Sequence, residues 1–209
     1  MKKKYNSPYS AAVSGGGFLY EETNILLPLL MSGNRQELMQ QEASENRLLH
    51  INAETSRKRI MAEVERRYDA MPVSFWQDYV QMPEEDRKAA LFFVLLKTYR
   101  ILFDFHVNVA MKKWNSISKS VTLDDIYMEL NELSAKDDFV DSWTEATKKK
   151  LASTYLTLLR KVGMLDEGNG LHPLLCGNQA YYLLHGEAWF LEACLLQPYQ
   201  IEKLKTSLA

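Results

Sequence analysis

The residues in this chain best able to do chemistry are cations. Lys148, Lys149 and Lys150 open a segment in which Leu151, Tyr155, Leu158, Leu159 and Val162 recur at the spacing of one helix face. At 100° per residue, Lys149, Lys150, Ser153, Thr157 and Arg160 fall on the opposite face. From Ala146 to Leu165 there are five basic residues and no acidic one. Gly163 is a good helix stop, because glycine accepts the left-handed conformation that closes a last turn. The cluster Asp166-Glu167-Gly168-Asn169-Gly170 then predicts a tight turn. A packed helix with a cationic outer face, followed by a turn, is what the recognition helix of a helix-turn-helix needs. A solvated surface helix with a lysine cluster is the plainer reading of the same residues.

A second stretch has the same pattern. Ser56-Arg57-Lys58-Arg59-Ile60 matches Thr147-Lys148-Lys149-Lys150-Leu151 in kind, a hydroxyl residue followed by three cations and an apolar anchor. The apolar positions continue as Val64 and Tyr68 in one and as Tyr155 and Leu159 in the other. Arg66 and Arg67 add cations further along. Glu63 stands between Arg59 and Arg66, where it can pair with either, which favours a solvated face. Two DNA-contact patches result: Lys148, Lys149, Lys150, Ser153, Thr157 and Arg160, and Arg57, Lys58, Arg59, Arg66 and Arg67. The cations are expected to contact phosphates, which positions a protein without reading sequence. Ser153 and Thr157 are the residues placed to reach base edges.

Other chemistry finds little support. Gly15-Gly16-Gly17 lacks the Gly-Lys-Ser/Thr of a phosphate-cradling loop and reads as an entry loop that lets the N-terminal segment pack closely. His50, His106, His172 and His185 make no metal-ligand spacing with one another or with Cys176 and Cys194. No Gly-x-Ser-x-Gly elbow is present. The expectation is a protein that is not an enzyme, with no metal and no cofactor. Two cysteines make no disulfide framework. With 25 basic and 27 acidic residues the net charge is −2, so nucleic-acid contact must come from local patches. Lys2-Lys3-Lys4 resembles the start of a signal peptide, but no apolar region follows it. The longest apolar run, Ala89 to Leu96, is too short to span a bilayer. A soluble, cytoplasmic protein is expected.

The elements that must hold these residues are almost all helical. After an irregular start, a helix beyond Tyr20 contains Pro28, which is expected to kink or divide it. Short helices follow at 35–43 and 55–71, the second ended by Pro72. A short helix near 74–80 precedes a long one from Glu84 to about Trp114. Glu84, Glu85 and Asp86 suit its positive N-terminal end, and the apolar run leaves it buried nearly all round. Thr122 is the expected N-cap of a helix to Leu133. The basic helix starts near Ser142, and two more lie at 187–196 and 199–207. No strand-length pattern is present, apart from a brief extended piece expected beside the 166–170 turn. The fold expected is all-α, a compact helical globule around the long central helix with two helix-turn-helix-like elements. One element lies in residues 1–72 and the other in residues 73–209.

Tyr9-Ser10-Ala11-Ala12-Val13-Ser14-Gly15-Gly16-Gly17-Phe18-Leu19-Tyr20-Glu21-Glu22-Thr23, running into Leu26-Leu27-Pro28-Leu29-Leu30, resembles the opening of BrxA proteins. These are core components of BREX bacteriophage-exclusion systems. The Ser32-Gly33-Asn34 break and the 53–68 segment fit as well. The resemblance implies an all-helical protein with helix-turn-helix elements that binds double-stranded DNA. It implies work beside a methyltransferase, an alkaline-phosphatase-like protein and ATPases. Expected partners are therefore double-stranded DNA and other BREX components, with no membrane, and the protein alone is expected to be a monomer. Two further readings remain: an assembly protein whose charged helices dock onto those components, and an RNA-binding protein similar to the antitermination protein NusB.

Overall fold

The apolar run Ala89–Leu96 lies at the centre of the computed structural model, which describes residues 6–174 and 176–208. The lysine run at 2–4 lies outside them. Helix α5 (Glu84–Thr98) carries the run, and each of its eight residues is buried. Its three acidic residues occupy the first turn, where the dipole favours them. Around Phe93 stand Phe75, Tyr182, Trp189 and Phe190, with ring centroids 5.0 to 6.0 Å away. They come from α4 (Val73–Tyr79), α11 (Gln179–Leu184) and α12 (Trp189–Ala193). The central aromatics are therefore core. The sequence reading missed α11 as a separate element.

The central helix does not run on to Trp114 as expected. Tyr99 adopts an extended conformation that ends α5 and begins α6 (Arg100–Phe105). Its N–H bonds the Leu95 carbonyl, while its own carbonyl accepts from Leu102 and Phe103. Both helix ends are thus closed by one residue. The break also aims the Tyr99 ring at α3 (Glu54–Asp69), where its hydroxyl donates to Glu63. A π-helical turn, His106–Ala110, follows α6 and leads to α7 (Met111–Trp114).

His106 opens that π turn and is fully buried. One ring nitrogen lies 2.9 Å from the Tyr155 hydroxyl and the other 2.7 Å from the Ala193 carbonyl. Burial pushes its pKa down to about 4, with the Ala193 carbonyl the smaller, opposing influence. The folded imidazole stays neutral where the unfolded one, near 6.5, takes a proton. In that window the unfolded chain binds more protons, so stability falls as pH drops from about 6.5 to about 4. A shift of this size corresponds to about 3 kcal/mol. Urea melts across the window should show a smaller acid loss for His106→Gln than for the parent; equal losses would contradict this account.

The N-terminal segment is fixed by backbone geometry. A 3₁₀ turn, Ala12–Gly15, leads into α1 (Tyr20–Leu30) and α2 (Arg35–Glu45). Gly17 has φ +67°, and a Cβ on Gly16 would lie 2.8 Å from the Leu19 side chain. The glycines allow the close packing expected of them. Pro28 stays within a single α1. Helix α3 packs on α1, α2 and α5, and the 3₁₀ turn contacts both α3 and the basic helix α10 (Glu145–Lys161). Residues from both sides of Pro72 contribute to one core cluster.

Helix α8 (Leu123–Ser134) begins with a capping box. Thr122 accepts from the Asp125 N–H, and the Asp125 carboxylate accepts from the Thr122 N–H at 2.9 Å. The single turn α9 (Asp138–Asp141) then leads to α10, and α13 (Pro198–Leu208) closes the described chain. Among the described residues no helix is long and apolar enough to cross a membrane.

Candidate nucleic-acid interface

Helix α10 starts at Glu145 because Thr144 caps it, accepting the Thr147 N–H at 3.2 Å. It packs on α8, and its stripe of Leu151, Ala152, Tyr155, Leu158 and Leu159 is buried. Its last turn closes as the position of Gly163 predicted. Gly163 has φ +79°, its N–H bonds the Arg160 carbonyl, and the Met164 N–H bonds the Leu159 carbonyl at 2.8 Å.

The chain then doubles back as a short hairpin. Leu165 pairs antiparallel with Leu171, and Gly170 pairs antiparallel with Ser120, just before α8. Asp166 organises the turn, accepting from the Gly170 N–H at 2.8 Å and standing 2.7 Å from His172. His172 first, and the Gly170 N–H second, hold its carboxyl below the usual range. In chain order the unit is helix, short extended piece, α8, α9, α10 and a hairpin laid against that extended piece.

The exposed face of α10 presents Lys149, Lys150, Ser153 and Thr157, as the periodicity predicted. The Thr157 hydroxyl donates to the Ser153 carbonyl at 2.9 Å, so its lone pairs remain available. Arg160 is half-buried and donates to the Asn169 side chain at 2.7 Å, tying the helix to the hairpin turn. Lys148 does not join this surface. It lies on the stripe of Leu151, Ala152 and Tyr155, its side chain is 8% exposed, and its ammonium is 3.8 Å from Glu145. Lys161, outside the expected contact set, is exposed four residues beyond Thr157 and extends the same face. Continuing the exposed positions 150, 153 and 157 by one more turn would have found it.

The second patch is largely taken apart. Arg57 is buried and donates twice to the Ala43 carbonyl, at 2.9 and 2.8 Å, and once to the Ile51 carbonyl at 2.7 Å. It thereby satisfies a carbonyl in the last turn of α2. Arg67 is wholly buried, donating to the Phe18 carbonyl at 2.7 Å and the Gly17 carbonyl at 2.8 Å. Glu63 faces it at 3.4 Å. Burial pushes the Arg67 pKa down to about 10, with the Glu63 charge the leading opposition. Lys58 is paired with Glu54 at 2.5 Å and Arg66 with Glu63 at 3.4 Å. Arg59 is exposed beside Gly15 and makes no ion pair among the described residues. Among the described residues no group of three His, Cys, Asp or Glu is arranged to hold a metal ion.

The molecule is thus an all-helical protein in which the cationic helix α10, with Lys149, Lys150 and Lys161 exposed, lies between a helical scaffold and a small hairpin. A crystal structure of an uncharacterized protein from Magnetospirillum magneticum has the same fold, with a TM-score of 0.76 over 90% of this chain and 98% of that one, at 22% identity. The family model for BrxA matches residues 7–179, and the chain belongs to the BrxA family of BREX phage-defence systems. A relative from Bacillus cereus (strain H3081.97), described as BREX protein BrxA, is 22% identical over 162 residues, covering 78% of this chain and 81% of that protein.

Proposed function

We propose that this protein is a non-enzymatic, cytoplasmic, double-stranded DNA-binding accessory protein of its phage-defence system, and that α10 is its recognition helix. One observation carries the reading: Lys149, Lys150, Ser153, Thr157 and Lys161 share the exposed face of a helix that packs on α8 and is followed by a hairpin. This is the order of elements in a winged helix-turn-helix. Such a helix enters a major groove with its N-terminal residues toward base edges. Lys149 and Lys150 sit near that end. Asp166 and Glu167 make the hairpin tip acidic, so the helix and not the tip supplies phosphate contacts. Sequence preference is weak in this reading, because most contacts are to phosphate.

The RNA reading needs exposed rings on which unstacked bases can lie. Here the rings around Phe93 are packed into the core, which favours a duplex ligand. The test is a titration of matched duplex DNA, single-stranded DNA and hairpin RNA over a range of salt. Duplex should bind best, with log K falling against log salt at a slope of roughly −3 to −4, for about three or four phosphates neutralised. A flat salt response, or a preference for either single-stranded DNA or RNA, would overturn the proposal.

A further inference from the structure

The two cysteines meet in the fold. Cys176 follows the hairpin in the chain, and Cys194 closes the end of α12. The Leu174 N–H donates to the Cys194 carbonyl at 2.9 Å. The Gly177 N–H donates at 2.6 Å to Asp86, in the first turn of α5. Backbone bonds on both sides thus hold Cys176 across from Cys194. The two thiols are in hydrogen-bond contact, and both are free.

The pair is asymmetric. Cys194 is wholly buried, and burial pushes its thiol pKa up. Cys176 is 9% exposed. The hydrogen bond from Cys194 holds its thiol below the usual range, against burial and the charge of Asp86. Its chain neighbours Gly177 and Asn178 line an open cleft of about 720 Å³ together with Asp78, Asp86, Tyr181 and His185. Thiolate character and access decide which cysteine oxidises, and a second thiol beside it turns that oxidation into a disulfide.

We propose that Cys176 and Cys194 form a reversible disulfide on exposure to hydrogen peroxide, with Cys176 the attacking thiol and Cys194 the resolving one. The Cys176 thiolate attacks one peroxide oxygen and the O–O bond breaks. The hydroxide released takes up the proton that Cys176 lost on ionising and leaves as water. The Cys194 sulfur then attacks the sulfenic acid on Cys176, and the S–O bond breaks. This second hydroxide takes the Cys194 proton and also leaves as water, so the two sulfurs have given two electrons to one peroxide. Sulfurs already in contact need only close to about 2.05 Å. Charge and size decide the oxidant. Asp78 and Asp86 line the approach and repel glutathione disulfide, which is bulky and anionic, whereas peroxide is small and neutral. The bond fastens Cys176 to the end of α12. Transient, redox-sensing disulfides of this kind are compatible with a reducing compartment.

Mass spectrometry and melting of the full chain, before and after treatment with hydrogen peroxide, provide the test. The parent should lose the mass of two hydrogens and yield one cross-linked peptide containing Cys176 and Cys194, and dithiothreitol should restore both thiols. Oxidation should raise Tm by roughly 6–12 °C, because the cross-link restricts the unfolded chain. Both results are read on the parent alone. In Cys194→Ala, dimedone should trap a sulfenic acid on Cys176, and in Cys176→Ala peroxide should leave Cys194 unmodified. Melting of the reduced variants reports their fold. Glutathione disulfide at the same concentration should act more slowly, by on the order of tenfold. Thiols that survive peroxide in the folded parent, a cross-link between two chains in place of the internal one, or an oxidised chain that melts no higher than the reduced one would overturn the proposal. Trapping on Cys194, or faster oxidation by glutathione disulfide, would overturn the assignment of attacking thiol and oxidant.

Discussion

Replacing Lys149 and Lys150 together by glutamate should lower duplex-DNA affinity by about 30-fold at physiological salt. Each lysine that leaves a phosphate forfeits the release of nearly one counterion, a factor of roughly five at that salt. The salt slope should become shallower by about 2. Both side chains are exposed, so stability should change by less than about 0.5 kcal/mol. Arg59→Glu is the comparison. It removes the one exposed α3 cation of the second patch without an ion pair among the described residues, and should cost about fivefold at most. Lys161→Glu should match a single lysine of the α10 pair. Fluorescence anisotropy with a labelled duplex reads all of these. If the double variant binds like the parent, the α10 face is only solvated, and DNA binding through it is wrong.

Arg67→Met should have the largest effect on stability. The change leaves the buried carboxylate of Glu63, 7% exposed, with the half-exposed Arg66 and without its buried partner, and strips the Gly17 and Phe18 carbonyls of their donors. Breaking a buried pair from one side typically costs about 3–5 kcal/mol. For a domain of this size that lowers Tm by roughly 6–20 °C. Adding Glu63→Gln should recover part of the loss, because the buried carboxylate that lost its buried partner is then neutral. A variant melting within a degree or two of the parent would show that the Arg67 network holds nothing together.

The α10 face was legible because one period governs both packing and exposure. Leu151, Tyr155, Leu158 and Leu159 mark the buried stripe, and the lysines opposite follow from it. Lys148 departs from its charge-based expectation because its own 100° step falls on the buried stripe. Arg57 and Arg67 fail for a different reason. Their positions on α3 match the stripe of Met61, Val64 and Tyr68, but what admits a buried guanidinium there is non-local. Carbonyls of Ala43, Ile51, Gly17 and Phe18 come from other elements, and no local pattern announces them. The break at Tyr99 is illegible for the same reason. The sequence around it continues a good helix, and the partner that favours the break lies on α3. The capping box at Thr122 and the stop at Gly163 were readable because each is set by residues within one turn.

The strap formed by residues 12–18 has a consequence for synthesis. Its contacts reach forward to Arg67 on α3 and to α10. The segment leaves the ribosome before either partner, and its seat is incomplete until about residue 161 has emerged. At roughly 5–20 residues per second, the wait is on the order of 10–30 s. During that time Val13, Phe18 and Leu19, which are buried in the finished protein, lack the α10 side of their seat. Residues 12–18 are thus among the last to be fixed in place, and a nascent chain stalled before α10 exposes that apolar segment to chaperones and proteases.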